Sequence, residues 1–288
     1  MRTQAQLHFD DWVSPPVVDL AAYDVILINT SAGKDSQTML REIYRRATEA
    51  GVTDRLVAVH CDLGRIEWSG TPELAHAQAA HYGIPFTVVR RTGGDLLDYV
   101  AKRGKWPSST ARYCTSDFKR GPVRTLMTKL ANAFHGGPHA GTGKASATRP
   151  CRILNCMGHR AAESPARAKA ASFHLDHQNH RRIVYTWLPI HAWTLDDVWA
   201  DIRSAPVPYH RAYDLGMPRL SCVLCIFAPR DALILAGHHN PALLADYVAV
   251  EHQIGHTFRQ HQTLVEIQSA IAAGELPTPA NITWPQCA

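Results

Sequence analysis

The sequence predicts an α/β protein built on a doubly wound, mostly parallel sheet, with a helical extension at its C-terminal end. Three observations carry that expectation. A continuous apolar run at residues 23–30 leads straight into a short polar loop and then into apolar residues at helical spacing. Further apolar runs alternate with helical patterns along the middle of the chain, and from residue 231 the pattern becomes helical throughout. Strands that alternate with helices form βαβ units, whose crossovers make neighbouring strands parallel.

The first run, Tyr23-Asp24-Val25-Ile26-Leu27-Ile28-Asn29-Thr30, lacks polar alternation, as expected of a strand buried on both faces. A helix follows across residues 38–44. A second strand is expected at 55–60, a second helix at 72–82 and a third strand at 86–90. Residues 122–134 read as a helix, 152–157 and 182–188 as strands, and 194–203 as a helix. Between them, residues 135–146 are rich in Gly and read as a mobile surface loop. Helices dominate from 231 to about 274, and the Pro-containing residues 277–288 read as an irregular tail. The expected organisation is a lead segment at 1–20, one catalytic domain at 21–228, and the extension and tail at 229–288.

The chain has 288 residues, 45% hydrophobic and 19% charged, as a folded globular protein should. No apolar run approaches the roughly 18 residues of a membrane helix, and the first residues lack the pattern of a secretory signal. A cytoplasmic enzyme without membrane contact is therefore expected. A net charge of +5 suits the handling of polyanions such as nucleotides, but the chain lacks the dense Lys/Arg runs of a dedicated nucleic-acid binder. The seven cysteines are expected to stay reduced in such a compartment, which leaves metal binding, sulfur chemistry or burial open to them.

Ser31-Ala32-Gly33-Lys34-Asp35-Ser36 sits between the first strand and its helix, where doubly wound sheets bind ligands. Free backbone N–H groups and the helix dipole favour an anion there. Gly33 allows close approach of a phosphate, and Ser31 and Ser36 offer hydroxyls. Lys34 supplies charge, while Asp35 can hold Mg²⁺ or cap the helix. The spacing is not that of a Walker A loop, which needs Gly, four residues, then Gly-Lys-Ser/Thr.

The loop resembles the S-G-G-K-D-S loop of the PP-loop ATP pyrophosphatases, with Ala32 in place of the first Gly. Other segments resemble the PAPS reductase-like branch of that superfamily. His60-Cys61-Asp62-Leu63-Gly64 follows the second strand, as in the branch, where an acidic residue and a Gly border the nucleotide. Arg112-Tyr113-Cys114-Thr115-Ser116-Asp117-Phe118-Lys119-Arg120-Gly121-Pro122 is similar to its R-x-C-T-x-x-x-K-x-x-P segment. Gly158-His159-Arg160-Ala161-Ala162-Glu163-Ser164-Pro165-Ala166-Arg167 is similar to G-x-R-x-x-E-S-x-x-R, and residues 189–199 to P-I-x-x-W-x-x-x-D-V-W. The resemblance runs from about Asp24 to Phe227 and implies a Rossmann-like fold of the adenine nucleotide α-hydrolase type. It implies ATP, Mg²⁺ and cleavage between the α and β phosphates. Ser31 to Ser36, Asp62, Gly64, Gly158, Arg160 and Arg167 would then bind the nucleotide, and Lys34, Asp35, Ser36, Lys119 and Arg160 would carry catalysis.

Cys222 and Cys225 form the one C-x-x-C pair, a spacing that lets two sulfurs face one metal or cluster. The resemblance to sulfonucleotide reductases makes Cys114 a partner in a [4Fe-4S] cluster, although the adjacent pair of cysteines of those enzymes is here Tyr113-Cys114. Cys156 is a candidate fourth ligand if the fold brings it close. A three-cysteine cluster with an open iron, structural zinc and a reactive dithiol remain the alternatives.

The assimilatory reductases also carry a C-terminal E-C-G-I/L-H segment. Cys287 lacks its Glu, Gly and His, so the reductase reaction is the weaker expectation. The branch without that tail includes the ATP pyrophosphatase component of DNA phosphorothioation systems. That resemblance implies a cysteine desulfurase as sulfur donor, DNA as acceptor and further modification proteins as partners, and it leaves a homo-oligomer open. The competing expectations are a PAPS or APS reductase and a nucleotide-binding scaffold without chemistry.

Overall fold

A computed structural model describes residues 17–136, 148–278 and 282. Six strands, β1 (Val25–Thr30), β2 (Leu56–Asp62), β3 (Phe86–Arg90), β4 (Cys151–Cys156), β5 (Phe173–Gln178) and β6 (Arg182–Trp187), form one sheet in the order β3-β2-β1-β4-β6-β5. β1 is parallel to β2 and β4, β2 to β3, and β4 to β6, while β5 runs antiparallel to β6 along the edge. The order reverses between β1 and β4. Chains leaving these two strands diverge to opposite faces and open a crevice at their carboxyl ends.

The helices are α1 (Lys34–Glu49), α2 (Thr71–His81), α3 (Leu96–Arg103), the single turn α4 (Tyr113–Thr115), α5 (Gly121–Phe134), the single turn α6 (Pro165–Ala168), α7 (Leu195–Ser204), α8 (Arg230–His239), α9 (Pro241–Ile254) and α10 (Leu264–Ala272). A π-helical turn at Ser116–Arg120 joins α4 to α5. Strand alternation divides the core. Ile26, Ile28, Leu154 and Cys156 face Met39, Leu40 and Ile43 of α1, whereas Leu27, Val59 and Ile153 face Val123, Leu126 and Met127 of α5. A third cluster packs α8, α9 and α10 against Leu97, Trp106, Phe118, Val223 and Leu224. The C-terminal helices thus brace the segment that carries Cys222 and Cys225. Among the described residues no helix is long and apolar enough to cross a membrane.

The α/β, doubly wound reading is correct, and each strand expected from its apolar run is present. The first helix begins at Lys34, four residues before the apolar pattern starts, because its first turn is polar. Besides the single turns, two longer elements lie outside the expected set. α3 is opened by reciprocal Asp95 and Asp98 hydrogen bonds and closed by Gly104 in the left-handed region. β5 is an edge strand, exposed over most of its length, so its sequence carries no buried run. Most of the Gly-rich loop and of the C-terminal tail, Cys287 included, lies outside the described residues.

Candidate functional site

β1 ends against the polar loop, and the loop closes on itself. The Ser31 amide donates to Ser36 Oγ at 3.1 Å, and the Ser36 hydroxyl donates to the Gly33 carbonyl at 2.9 Å. Ala32, fully buried, takes φ of 56°, the left-handed region that a Gly would enter freely. Lys34 Nζ and Arg160 Nε approach the Asp35 carboxylate at 2.9 and 2.6 Å, and both cations are buried. Burial alone would raise the Asp35 pKa, but the two cations outweigh it and hold the group below the usual carboxylate range. Asp35 is thereby the centre of an ion-pair triad rather than a free carboxylate.

Gly158 lies over this turn. A Cβ there would stand 2.8 Å from the Asp35 carbonyl oxygen and 3.1 Å from the Ser36 nitrogen, so only Gly lets the loop after β4 approach α1 this closely. From the other side the Tyr213 hydroxyl accepts a hydrogen bond from the Lys34 amide at 2.9 Å.

A cleft of about 590 Å³ opens at the carboxyl ends of the strands where their order reverses. Asn29 to Ser31, His60, Cys61 and Asn155 form its floor, and Arg112, Lys119, Arg120 and Arg124 reach it from the turn before α5 and from α5 itself. Among the described residues none of these four cations is in an ion pair with a carboxylate, although the Arg112 guanidinium lies over the Phe227 ring and Glu67 and Asp176 share the lining. Four unpaired cations converging on a cleft of this size favour an anionic ligand.

A second cavity of about 280 Å³ adjoins it and shares Arg112, Thr115 and Lys119 as a common wall. Cys114, Cys222, Cys225, Arg167 and Arg219 line the rest of its chemistry. Burial raises the Cys225 thiol and pushes Cys222 up to about 12, with the Lys119 ammonium opposing the rise in both. For Lys119, burial pulls the pKa down, but Cys222, Cys61 and Cys225 outweigh it, and the net shift is upward. On the far side the same three cysteines border a small apolar cavity lined by Trp106, Tyr247 and Phe258.

Cys114, Cys222 and Cys225 are thus brought together, as the spacing of the C-x-x-C pair and the resemblance led us to expect. Cys156 is not with them. As the last residue of β4 it points to the α1 face, fully buried, while its neighbour Asn155 faces the cleft. Among the described residues no group of three or more His, Cys, Asp or Glu side chains is arranged to hold a metal ion. Mg²⁺ therefore has no side-chain site of its own among the described residues, whereas Cys114, Cys222 and Cys225 share one cavity and are the residues that would hold a cluster.

Arg167 pairs with Glu163, which also binds Arg219 at 3.1 Å. Asp62 and Gly64 line a separate, shallow cleft. There Asp62 accepts from the Gly64 amide at 2.7 Å and pairs with Arg90 at 2.6 Å. Arg112, Arg120, Arg124, His159, Tyr213 and Arg219 were not singled out. Arg112 and Arg120 flank Lys119 in a segment already marked by resemblance, whereas Tyr213 carries no local signal.

The profile of the phosphoadenosine phosphosulfate reductase domain matches residues 25–228. An uncharacterized 37.8 kDa protein of Escherichia phage 186 is 27% identical over 161 residues, 56% of this chain and 43% of the relative. An uncharacterized protein of Methanocaldococcus jannaschii is 24% identical over 200 residues, 69% of this chain and 36% of the relative. The chain therefore matches less than half the length of either. Among solved structures, the PAPS reductase of Candida auris in complex with phosphate aligns at a TM-score of 0.46 and 16% identity, over 70% of this chain and 83% of that one. The U34-tRNA thiolase NcsA of Methanococcus maripaludis with its [4Fe-4S] cluster aligns at 0.40 and 13% identity, over 87% of this chain and 72% of that one.

Proposed function

We propose a function from one premise: the chain belongs to the phosphoadenosine phosphosulfate reductase domain family. The protein binds ATP in the 590 Å³ cleft, with the phosphates between the 31–36 loop and Arg112, Lys119, Arg120 and Arg124. A phosphate oxygen of the acceptor attacks the α phosphorus and pyrophosphate leaves. The terminal sulfur of a persulfide, loaded from the donor onto one of the three cysteines, attacks the adenylylated phosphorus and AMP departs with the displaced oxygen. A neighbouring thiol then cleaves the S–S bond, which releases the thiophosphate and leaves the two cysteines as a disulfide that an external thiol reduces. Mg²⁺ enters with the nucleotide as part of the substrate. The acceptor is DNA and the sulfur donor a cysteine desulfurase, acting with further modification proteins.

One observation carries this reading. The cationic cleft and the three-thiol cavity share a wall of Arg112, Thr115 and Lys119, so an activated phosphate and a sulfur carrier would meet across a single layer of side chains. Lys119 and the three arginines would stabilise charge on the leaving pyrophosphate. The Cys222 and Cys225 thiols, raised by burial, need the adjacent Lys119 ammonium to ionise.

The test is to incubate anaerobically purified protein with ATP and Mg²⁺ and separate the products. Lys119→Met is the blank, because Lys119 lines both cavities and makes no ion pair whose loss would disturb the fold. AMP and pyrophosphate, absent in the blank, are expected. ADP and phosphate would overturn the reading, and sulfite released from PAPS without ATP cleavage would replace it with the reductase.

A further inference from the structure

Glu67 and Asp176 are the two carboxylates among the described residues that line the cationic cleft, and the chemistry proposed above uses neither. Glu67 follows β2 on a turn at Gly64–Ile66 that is pinned on both sides. The Glu67 amide donates to the Gly64 carbonyl at 3.1 Å, and the Val223 amide donates to the Ile66 carbonyl at 2.9 Å. The side chain is nearly buried, yet its Oε2 is held twice: the Leu63 amide donates to it at 3.3 Å, and His60 Nε2 lies 3.2 Å away.

His60 is buried in the floor of the cleft between two acceptors. Its Nδ1 faces the Thr30 carbonyl at 3.1 Å, and a carbonyl can only accept, so Nδ1 carries a proton. Nε2 then shares a second proton with the carboxylate. Burial pulls the His60 pKa down, but the hydrogen bond and charge of Glu67 outweigh it, and the net shift is upward. The pair thus keeps Glu67 a carboxylate where burial alone would favour its neutral form. Among the described residues both donors to the side chain bind Oε2, which leaves Oε1 to accept from a ligand.

A carboxylate repels phosphates, so in a cleft walled by four cations it suits the uncharged, donor-bearing part of the same ligand. In dinucleotide-binding sheets an acidic side chain downstream of the phosphate loop takes a ribose hydroxyl. Asp62, the last residue of β2, is engaged otherwise: it pairs with Arg90, accepts from the Gly64 amide and lines the shallow cleft, whereas Glu67 reaches both clefts. We propose that Glu67 is the specificity-determining residue of the nucleotide site, its Oε1 accepting a hydrogen bond from a ribose hydroxyl. This rests on the nucleotide reading given above and names what the site selects, a ribonucleotide over its deoxy forms.

Calorimetric titration of the full chain with α,β-methylene-ATP, which cannot be split between its α and β phosphates, tests this without any turnover. The wild type should bind it roughly tenfold more tightly than its 2′-deoxy or its 3′-deoxy form, as one hydrogen bond to a charged group would give. Glu67→Gln keeps the shape of the side chain and leaves only a neutral acceptor. In that variant the ratio should fall to about threefold. A wild type that binds all three ligands alike would overturn the proposal, whether or not the variant folds. A folded Glu67→Gln protein that keeps the full ratio would overturn it too, because the hydroxyl would then be read elsewhere. If the wild type binds none of the three, the nucleotide reading itself falls, and the proposal falls with it.

Discussion

Asp35 Oδ1 lies 2.6 Å from Arg160 Nε, which ties the first turn of α1 to the loop that follows β4 across the crevice. Lys34 completes the triad at 2.9 Å on the other carboxylate oxygen. Removing one partner of a buried ion pair strands the others, at a cost of about 3–5 kcal/mol. Asp35→Ala should therefore lower the unfolding free energy by that order, whereas Lys119→Met, which breaks no ion pair and keeps the apolar stem, should change it by less than about 1 kcal/mol. Chemical denaturation of both variants decides the matter: an Asp35→Ala protein as stable as the wild type would show that the triad is not structural.

Ala32 holds φ at 56° in a fully buried loop where the related pattern has Gly. A left-handed Cβ costs roughly 1–2 kcal/mol, and the extra freedom of Gly in the unfolded chain returns about 0.4–1. Ala32→Gly should thus stabilise the protein by up to about 1.5 kcal/mol, while the β-branched Ala32→Val should destabilise it. A thermal melt in which Ala32→Gly unfolds earlier than the wild type would contradict the strained backbone.

The sheet was legible because its strands are buried on both faces and read as unbroken apolar runs, as in residues 25–30 and 151–156. The edge strand β5 was not, since exposure leaves it no such run. The loop at 31–36 was legible because its chemistry is contiguous. The thiol cavity was half legible: Cys222 and Cys225 announce themselves by spacing, whereas excluding Cys156 required knowing which face of β4 it occupies. Tyr213 and Arg219 reach the site from a long irregular segment whose path local sequence does not encode.

Gly158 transmits the same packing as the Asp35 triad, through backbone alone. A Cβ would come to 2.8 Å from the Asp35 carbonyl oxygen and 3.0 Å from its carbon, both main-chain atoms that cannot turn aside. Gly158→Ala should cost about 1–3 kcal/mol, the range for overpacking, and weaken nucleotide binding by displacing the turn. Unchanged stability together with unchanged ATP binding, measured by calorimetry, would remove Gly158 from the scaffold of the site.

His159 lines the cleft, and burial pushes its pKa down to about 4, helped by Arg167 and opposed by Glu163. Because the folded pKa lies below the unfolded value near 6.5, the folded state binds fewer protons in that window. The contribution of His159 is fully present above pH 6.5 and is lost as the pH falls toward 4, with an upper bound of roughly 3 kcal/mol. His159→Gln should flatten the stability profile between these limits. If the variant and the wild type lose stability in parallel from pH 6.5 to 4, the acid sensitivity originates elsewhere.

The cysteines separate chemistry from packing. Cys114, Cys222 and Cys225 border the cavity that adjoins the cleft, and truncating them removes sulfur without opening the main core. Cys156 lies fully buried among Ile28, Leu154 and Trp187, and its thiol donates to the Leu154 carbonyl at 3.8 Å. Cys222→Ala and Cys225→Ala should therefore abolish sulfur incorporation with ATP cleavage retained, at a stability cost below about 1 kcal/mol. Cys156→Ser should do the reverse: a hydroxyl in an apolar core costs roughly 1–3 kcal/mol, and the surviving folded protein should still transfer sulfur. Assaying AMP and labelled sulfur in parallel with denaturation reads both quantities. Loss of sulfur transfer in a fully folded Cys156→Ser protein would return that residue to the reacting set, and the strand orientation of β4 would then have to be revised.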